Sequence, residues 1–146
     1  MKTLALSVAL VTFAVAMAAA PGVTVKAVAG KAKAGQAPVT VAITIPEGYH
    51  IYGPAEKSGV STSIKVKGTN VKVAKATFPK TKTISVVGTK FQVYEEKVSI
   101  PVVLKPTKKL KGVQKVTLLV TSQACNDRIC LPPDTKSIDV NVNFGN

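Results

Sequence analysis

Strict two-residue alternation in four separate segments constrains this chain more than any other feature. Val39, Val41, Ile43 and Ile45 alternate with Thr40, Ala42 and Thr44. Successive side chains of a strand point to opposite faces, so this pattern buries one face and wets the other. It returns at Val98, Ile100, Val102 and Leu104, and again at Val116, Leu118 and Val120. It closes the chain at Ile138, Val140, Val142 and Phe144, with Asp139, Asn141 and Asn143 facing the other way. Weaker strands are expected over residues 23–28, 49–52, 64–67, 71–78 and 91–94, separated by turn signals at Pro46-Glu47-Gly48, Gly53-Pro54, Gly68-Thr69-Asn70, Pro79-Lys80 and Gly112. No stretch carries a sustained 3.6-residue apolar period with helix caps. About seven to nine short strands at this spacing describe an all-β, immunoglobulin-like β-sandwich. Val41, Ile43, Ile100, Val102, Leu118, Val120, Val140 and Val142 are its expected core. Pro101 falls inside a convincing strand, which places that strand at an edge or bulges it there. The 146 residues suit one domain, with residues 27–36 as a loosely held first strand and no internal repeat.

Before that pattern begins, the chain opens like an export signal. Lys2 supplies a positive start, residues 4–15 are apolar apart from Ser7 and Thr12, and Ala16-Met17-Ala18 offers the small residues a signal peptidase needs. Cleavage is expected after Ala18, because a cut after Ala20 would leave Pro21 next to the scissile bond. This divides the chain into a signal peptide, 1–18, and one domain, 19–146. The apolar run is short for ~30 Å of hydrocarbon, and no stop-transfer cluster follows it. No later stretch approaches a membrane span, so the mature chain is expected to be exported and soluble. An oxidising compartment would let its two cysteines pair.

The charge is lopsided: 20 Lys+Arg against 7 Asp+Glu, for a formal net charge of +13. Losing residues 1–18 takes Lys2 with it and leaves +12. Arg128 is the only arginine, there is no Trp, and aromatic residues make up 5%. Nucleic-acid readers lean on arginine forks and stacking aromatics, so no nucleic-acid partner is expected. Lysines alternating with apolar residues, as in Ile64-Lys65-Val66-Lys67, read as a solvated cationic surface, with an anionic partner or membrane surface as the alternative. His50 is the only histidine, leaving few ways to build a nucleophile–base pair and no set of soft ligands for a metal or haem.

What remains is Cys125 and Cys130, in the run Gln123-Ala124-Cys125-Asn126-Asp127-Arg128-Ile129-Cys130-Leu131-Pro132-Pro133. Asn126 and Asp127 favour a tight turn, so the two cysteines can face each other across the mouth of a hairpin, within disulfide reach. A structural staple is one reading. Closing so short a loop stabilises by only about 2 kcal/mol, against nearly 5 for a 100-residue loop. A pair at a loop tip is also well placed for a partner, and Arg128 between the cysteines would favour a thiolate. A zinc site would need further ligands, and only His50 offers an imidazole. Spacing alone leaves redox exchange and staple both open.

The cysteine run, with the alternating terminal strand behind it, resembles the end of the N-terminal periplasmic domain of the thiol:disulfide interchange protein DsbD family. Gly48-Tyr49-His50-Ile51-Tyr52, residues 94–102 and the strand from Val113 are similar to that family's segments in the same order, over roughly residues 36–144. The resemblance implies a domain that relays electrons by thiol–disulfide exchange, a protein-disulfide reductase component needing no cofactor. The implied donor is a thioredoxin-like domain or a DsbD-like membrane protein. The implied acceptors are periplasmic oxidoreductases, in disulfide isomerisation or cytochrome c maturation. Three departures stand out. The chain ends at Asn146, so the family's transmembrane and thioredoxin-like domains would be separate proteins. Four residues separate the cysteines, where well-known members have five. Where the family carries a cap loop with an acidic pair and a Phe, residues 84–91 here read Ile-Ser-Val-Val-Gly-Thr-Lys-Phe, with Phe91 or Val87 as candidate lid.

Cys125 and Cys130 are thus the candidate exchanging residues, with His50, Tyr52, Phe91, Asp127 and Arg128 as candidate lining. His50 and Tyr52 match family positions beside the cysteines, where an imidazole or hydroxyl could bond or shield a sulfur. Their alternative role is ordinary packing on the sandwich. Asp127 reads first as a turn residue that opposes Arg128. Cys130 is expected to be the attacking sulfur. It follows the flexible turn and precedes Pro132-Pro133, whereas Cys125 follows a long strand. A binding module with a fixed loop disulfide and a cationic face is the competing function.

Overall fold

The computed structural model describes residues 21–145; the expected signal peptide, residues 1–18, lies outside them. Eleven strands run in the order β1 (Thr24–Ala29), β2 (Ala37–Thr44), β3 (His50–Tyr52), β4 (Ser63–Val66), β5 (Val71–Ala76), β6 (Lys82–Val86), β7 (Thr89–Glu95), β8 (Lys97–Pro106), β9 (Val113–Ser122), β10 (Ala124–Cys125) and β11 (Asp134–Asn143). There is no helix among the described residues. Alternation translates directly into burial: β2 buries Ala37, Val39, Val41 and Ile43, and β8 buries Val98, Ile100, Val102 and Leu104. All eight expected core residues are buried, in one cluster that joins β2, β8, β9 and β11.

The strands form three antiparallel sheets, β1-β2-β8-β5, β11-β9-β4 and β10-β3-β7-β6. The first two make the sandwich, with β1 packed along β11 and β4 along β5. The third extends from one end, where three short connections join it to the sandwich. The chain passes from β2 to β3, from β7 through Glu96 to β8, and from β9 through Gln123 to β10. At the middle crossing Glu96 takes a φ of 58°, a left-handed corner rare for a residue with a Cβ, and its carbonyl accepts from the Ile45 N–H at 2.7 Å. Each crossing is a corner at which a strand changes sheets, as in other β-sandwiches.

Two local expectations need correction. β8, which contains Pro101, is an interior strand between β2 and β5, not an edge. The proline is tolerated for a geometric reason. In an extended strand a residue's nitrogen and carbonyl point to the same side, and the Pro101 carbonyl accepts from Thr77 N–H, beyond the end of β5. Its missing N–H therefore faces the side where β5 has finished, and costs the β2 ladder nothing. The second correction is β6. Residues 84–91, where the sequence pattern marks no strand before Phe91, belong to the β6–β7 hairpin, turned by Val87 (φ 48°) and Gly88 (φ 80°). Two consecutive left-handed residues are what a tight hairpin turn requires.

Candidate functional site

The third sheet is only a few residues wide, yet its two faces do different things. Ile51, Tyr94 and Ala124 turn toward the sandwich core. Tyr52, Val93 and Cys125, their neighbours in sequence, form a second apolar cluster on the opposite face, with Ile84 and Phe91 packed against it. Period-2 geometry alone sends these pairs apart. This small cluster is the floor of the disulfide site.

The cysteine loop is built on it by register. β10 pairs with β3 so that Ala124 faces Ile51 and Cys125 faces His50. The chain then turns through residues 126–129 and returns, with Cys125 and Cys130 directly opposed. Asn126 N–H donates to the Ile129 carbonyl and Leu131 N–H to the Ala124 carbonyl, each at 2.8 Å. These bonds flank the cysteines, which therefore occupy a non-hydrogen-bonded pair, the position with the closest side chains. Cα atoms 4.0 Å apart carry the Cys125–Cys130 disulfide. Asn126 also folds the turn with its own side chain, Oδ1 accepting from the N–H groups of Arg128 (2.9 Å) and Ile129 (2.8 Å).

The two sulfurs are unequally placed. Cys125 is 1% exposed within the apolar cluster, while Cys130 lies on the exposed outer arm. Tyr52 stands beneath both, its hydroxyl 3.6 Å from Cys125 Sγ and 3.8 Å from Cys130 Sγ. A disulfide has no proton to give, so the hydroxyl is the donor to either sulfur. Tyr52 is itself held from three sides. Its carbonyl accepts from Thr62 Oγ1 at 2.6 Å, Phe91 leans on its ring at 6.0 Å between centroids, and Gly59 lies against the ring edge so closely that a Cβ there would collide with it. His50 meets the ring edge-on at 6.0 Å.

The structure brings all the candidate residues together. His50, Tyr52, Phe91, Asp127 and Arg128 line, with both cysteines, a recess of about 210 Å3. Of the two candidate lids, Phe91 lines this recess, whereas Val87 is fully exposed at the hairpin tip. Burial is the main influence on His50 and pushes its pKa down, with Glu95 and Asp127 pulling it up less strongly. Several residues of the site have roles that the sequence does not mark. Gly59 fits the ring of Tyr52. Gln123 ties the loop down, with Nε2 donating to the Leu131 carbonyl and Oε1 accepting from Val60 N–H. Ile129, 54% exposed, adds an apolar contact surface beside Cys130. Only its position between the cysteines could have marked Ile129. Among the described residues no group of three His, Cys, Asp or Glu side chains is gathered closely enough for a metal, and no helix is long and apolar enough to cross a membrane.

Fold and site together define a class: an all-β, immunoglobulin-like sandwich that carries a short-range disulfide at one end. The family described as thiol:disulfide interchange protein DsbD, N-terminal, matches residues 19–142. The chain belongs to that family. Solved structures agree on the fold. The N-terminal periplasmic domain of ScsB from Proteus mirabilis is 19% identical with a TM-score of 0.62, covering 84% of this chain and 46% of that one. This chain therefore spans under half the length of the ScsB structure. The reduced DsbD N-terminal domain of Neisseria meningitidis is 20% identical with a TM-score of 0.51, covering 72% of this chain and 77% of that one. The same domain in complex with the PilB N-terminal domain is 20% identical with a TM-score of 0.51, covering 82% and 84%. No curated protein sequence matches the chain.

Proposed function

We propose that this protein is a periplasmic thiol–disulfide exchange domain that relays electron pairs between a thioredoxin-like or DsbD-like reductant and periplasmic oxidoreductases. The carrying observation is the asymmetry of its disulfide, with Cys130 exposed and Cys125 buried against Tyr52. Family membership supports the same reading. So does the Neisseria structure, in which a related domain is in complex with a PilB domain.

The geometry supports an exchange in this order. A reductant's thiolate attacks Cys130 Sγ, the accessible sulfur, and forms a mixed disulfide as the S–S bond breaks. The electron pair leaves on Cys125, where the Tyr52 hydroxyl is in place to donate to the new thiolate. A second thiol of the reductant then attacks the mixed disulfide, so the reductant leaves oxidised and both cysteines here are reduced. In the second half, the Cys130 thiolate attacks an acceptor's disulfide and Cys125 resolves the product. Two electrons pass in each half, and no cofactor takes part. Arg128 favours the outer thiolate electrostatically. Phe91, with Tyr52, shields the inner sulfur.

Single-cysteine variants test the order of events. Cys125→Ser retains the outer thiol and should accumulate a covalent complex with a thioredoxin-like partner that lacks its own resolving cysteine, as read on a non-reducing gel. Cys130→Ser should trap little. Preferential trapping through Cys125 would overturn the assignment. A disulfide that resists both thioredoxin-like proteins and a reduced glutathione pool would point instead to a fixed binding loop.

A further inference from the structure

This basic chain holds 7 carboxylates, and none of them falls between residues 57 and 94 or between 97 and 126. Yet Glu47, Glu95, Glu96 and Asp127 converge on one open cavity of about 380 Å3. They arrive from three places: the β2–β3 connection, the β7–β8 corner and the cysteine turn. Among the described residues no lysine or arginine lines the cavity, and of its four carboxylates Glu95 alone is in an ion pair, with Lys82 from outside. A second observation is independent of the acids. His50 is 6% exposed, lines the same cavity, and has no hydrogen bond to its ring among the described residues. Burial favours its neutral form, which leaves a ring nitrogen free to accept. The cavity adjoins the disulfide recess, with His50, Val86 and Asp127 lining both.

We propose that this cavity receives a cationic side chain of the exchange partner, an ammonium or guanidinium, and so orients the partner's sulfur over Cys130. The inference rests on the exchange reading and names the partner chemistry that the site selects. Three carboxylates held in no ion pair among the described residues and a neutral imidazole acceptor suit a donor-rich cation. The overall charge of +13 would by itself attract anions. Local and global fields therefore predict opposite preferences at this disulfide.

Small disulfides of different charge read the difference. The reduced protein gives two electrons to a disulfide RSSR, becoming the Cys125–Cys130 disulfide and releasing two RSH. Its rates are compared for cystamine (two ammonium groups), 2-hydroxyethyl disulfide (neutral) and 3,3′-dithiodipropionate (two carboxylates). Measured against the ratio that free dithiothreitol gives with the same two compounds, which accounts for the lower pKa of the thiol leaving from cystamine, the protein should favour cystamine by a further roughly threefold to tenfold at low ionic strength, and this excess should vanish in high salt. Glu47→Gln/Glu96→Gln should bring the cystamine-to-neutral ratio close to the one dithiothreitol gives. Asp134→Asn/Asp139→Asn, which removes the same charge from β11, should keep the wild-type ratio. Faster reaction with dithiodipropionate, no excess over dithiothreitol, or equal loss in both variants would overturn the proposal.

A second arm needs no redox step. His50 is the only histidine, so its Hε1 proton gives a single, unambiguous resonance that arginine amide should shift saturably in the oxidised protein, and acetate should not. No shift would overturn the cation site. A saturable shift in a protein inert to all three disulfides would uphold the site and remove the exchange reading instead.

Discussion

Opening the Cys125–Cys130 disulfide should cost about 2 kcal/mol and leave the protein folded. The bond joins residues 5 apart, so it closes a six-residue ring, for which chain-entropy arithmetic gives about 2 kcal/mol at room temperature. The folded loop does not depend on the bond for its shape. The hydrogen bonds on either side of the cysteine pair and the Asn126 side-chain turn all remain when the sulfurs separate. The main core, gathered around Val41, Ile100, Leu118 and Val142, is a separate cluster that excludes Cys125. Urea unfolding of the oxidised and the reduced protein measures the crosslink, and Cys125→Ala/Cys130→Ala adds the packing lost when the buried Cys125 sulfur is deleted. The midpoints should fall in that order with similar slopes. A reduced protein already unfolded at room temperature, or a loss above roughly 4 kcal/mol, would refute the reasoning and make the disulfide a structural bond.

Gly59→Ala places a Cβ 2.7 Å from Tyr52 Cδ2 and nearer still to the adjoining ring carbon, so the ring must swing away from the sulfurs. A loss of roughly 1–3 kcal/mol is expected from this overpacking, with a changed rate of disulfide reduction; wild-type values for both would refute the contact. Glu56, which fastens the loop beside Gly59 to β7, has its pKa lowered to about 2 by the Gln92 N–H first, then by the Ser58 hydroxyl and N–H and the Lys57 N–H. Its folded pKa lies below the unfolded value of about 4.3, so its contribution is complete above that pH and fades as pH falls toward 2. Stability should therefore fall less steeply between pH 5 and 2 in Glu56→Gln (roughly that window) than in wild type, and parallel curves would refute the link.

Most of the sandwich was legible because its strands bury one face, and one-sided burial writes alternation into the sequence. β2, β8, β9 and β11 are long enough for the pattern to repeat, and their core residues followed. β6 escaped because its pattern is only half apolar and Ile84 is its one contact with the small cluster under the disulfide. Pro101 misled because sequence shows that a donor is missing but not which side of the strand has a neighbour. In the site, the cysteine turn was readable from local chemistry, and His50, Tyr52 and Phe91 from resemblance. Gly59, Gln123 and the convergence of Glu47 with Glu96 and Asp127 were not. Each acts through a contact between distant segments, and no local pattern records such a contact.

The inequality of the two sulfurs is a product of the sheet crossing at Gln123. Had β9 run straight on, Ala124 and Cys125 would have stayed beside β11, and both cysteines would sit on one exposed hairpin. Instead the chain leaves β11 after Ser122 and pairs with β3. That transfer carries Cys125 onto the face shared by Tyr52 and Val93, which point away from the main core only because Ile51 and Tyr94 point into it. The returning arm finds no third strand: Cys130 makes a single bridge, and Pro132-Pro133 lead the chain back to β11. One sulfur is therefore held by a sheet and the other by a turn. The proposed exchange would use that division, with the outer sulfur open to attack and the inner one held within reach of it.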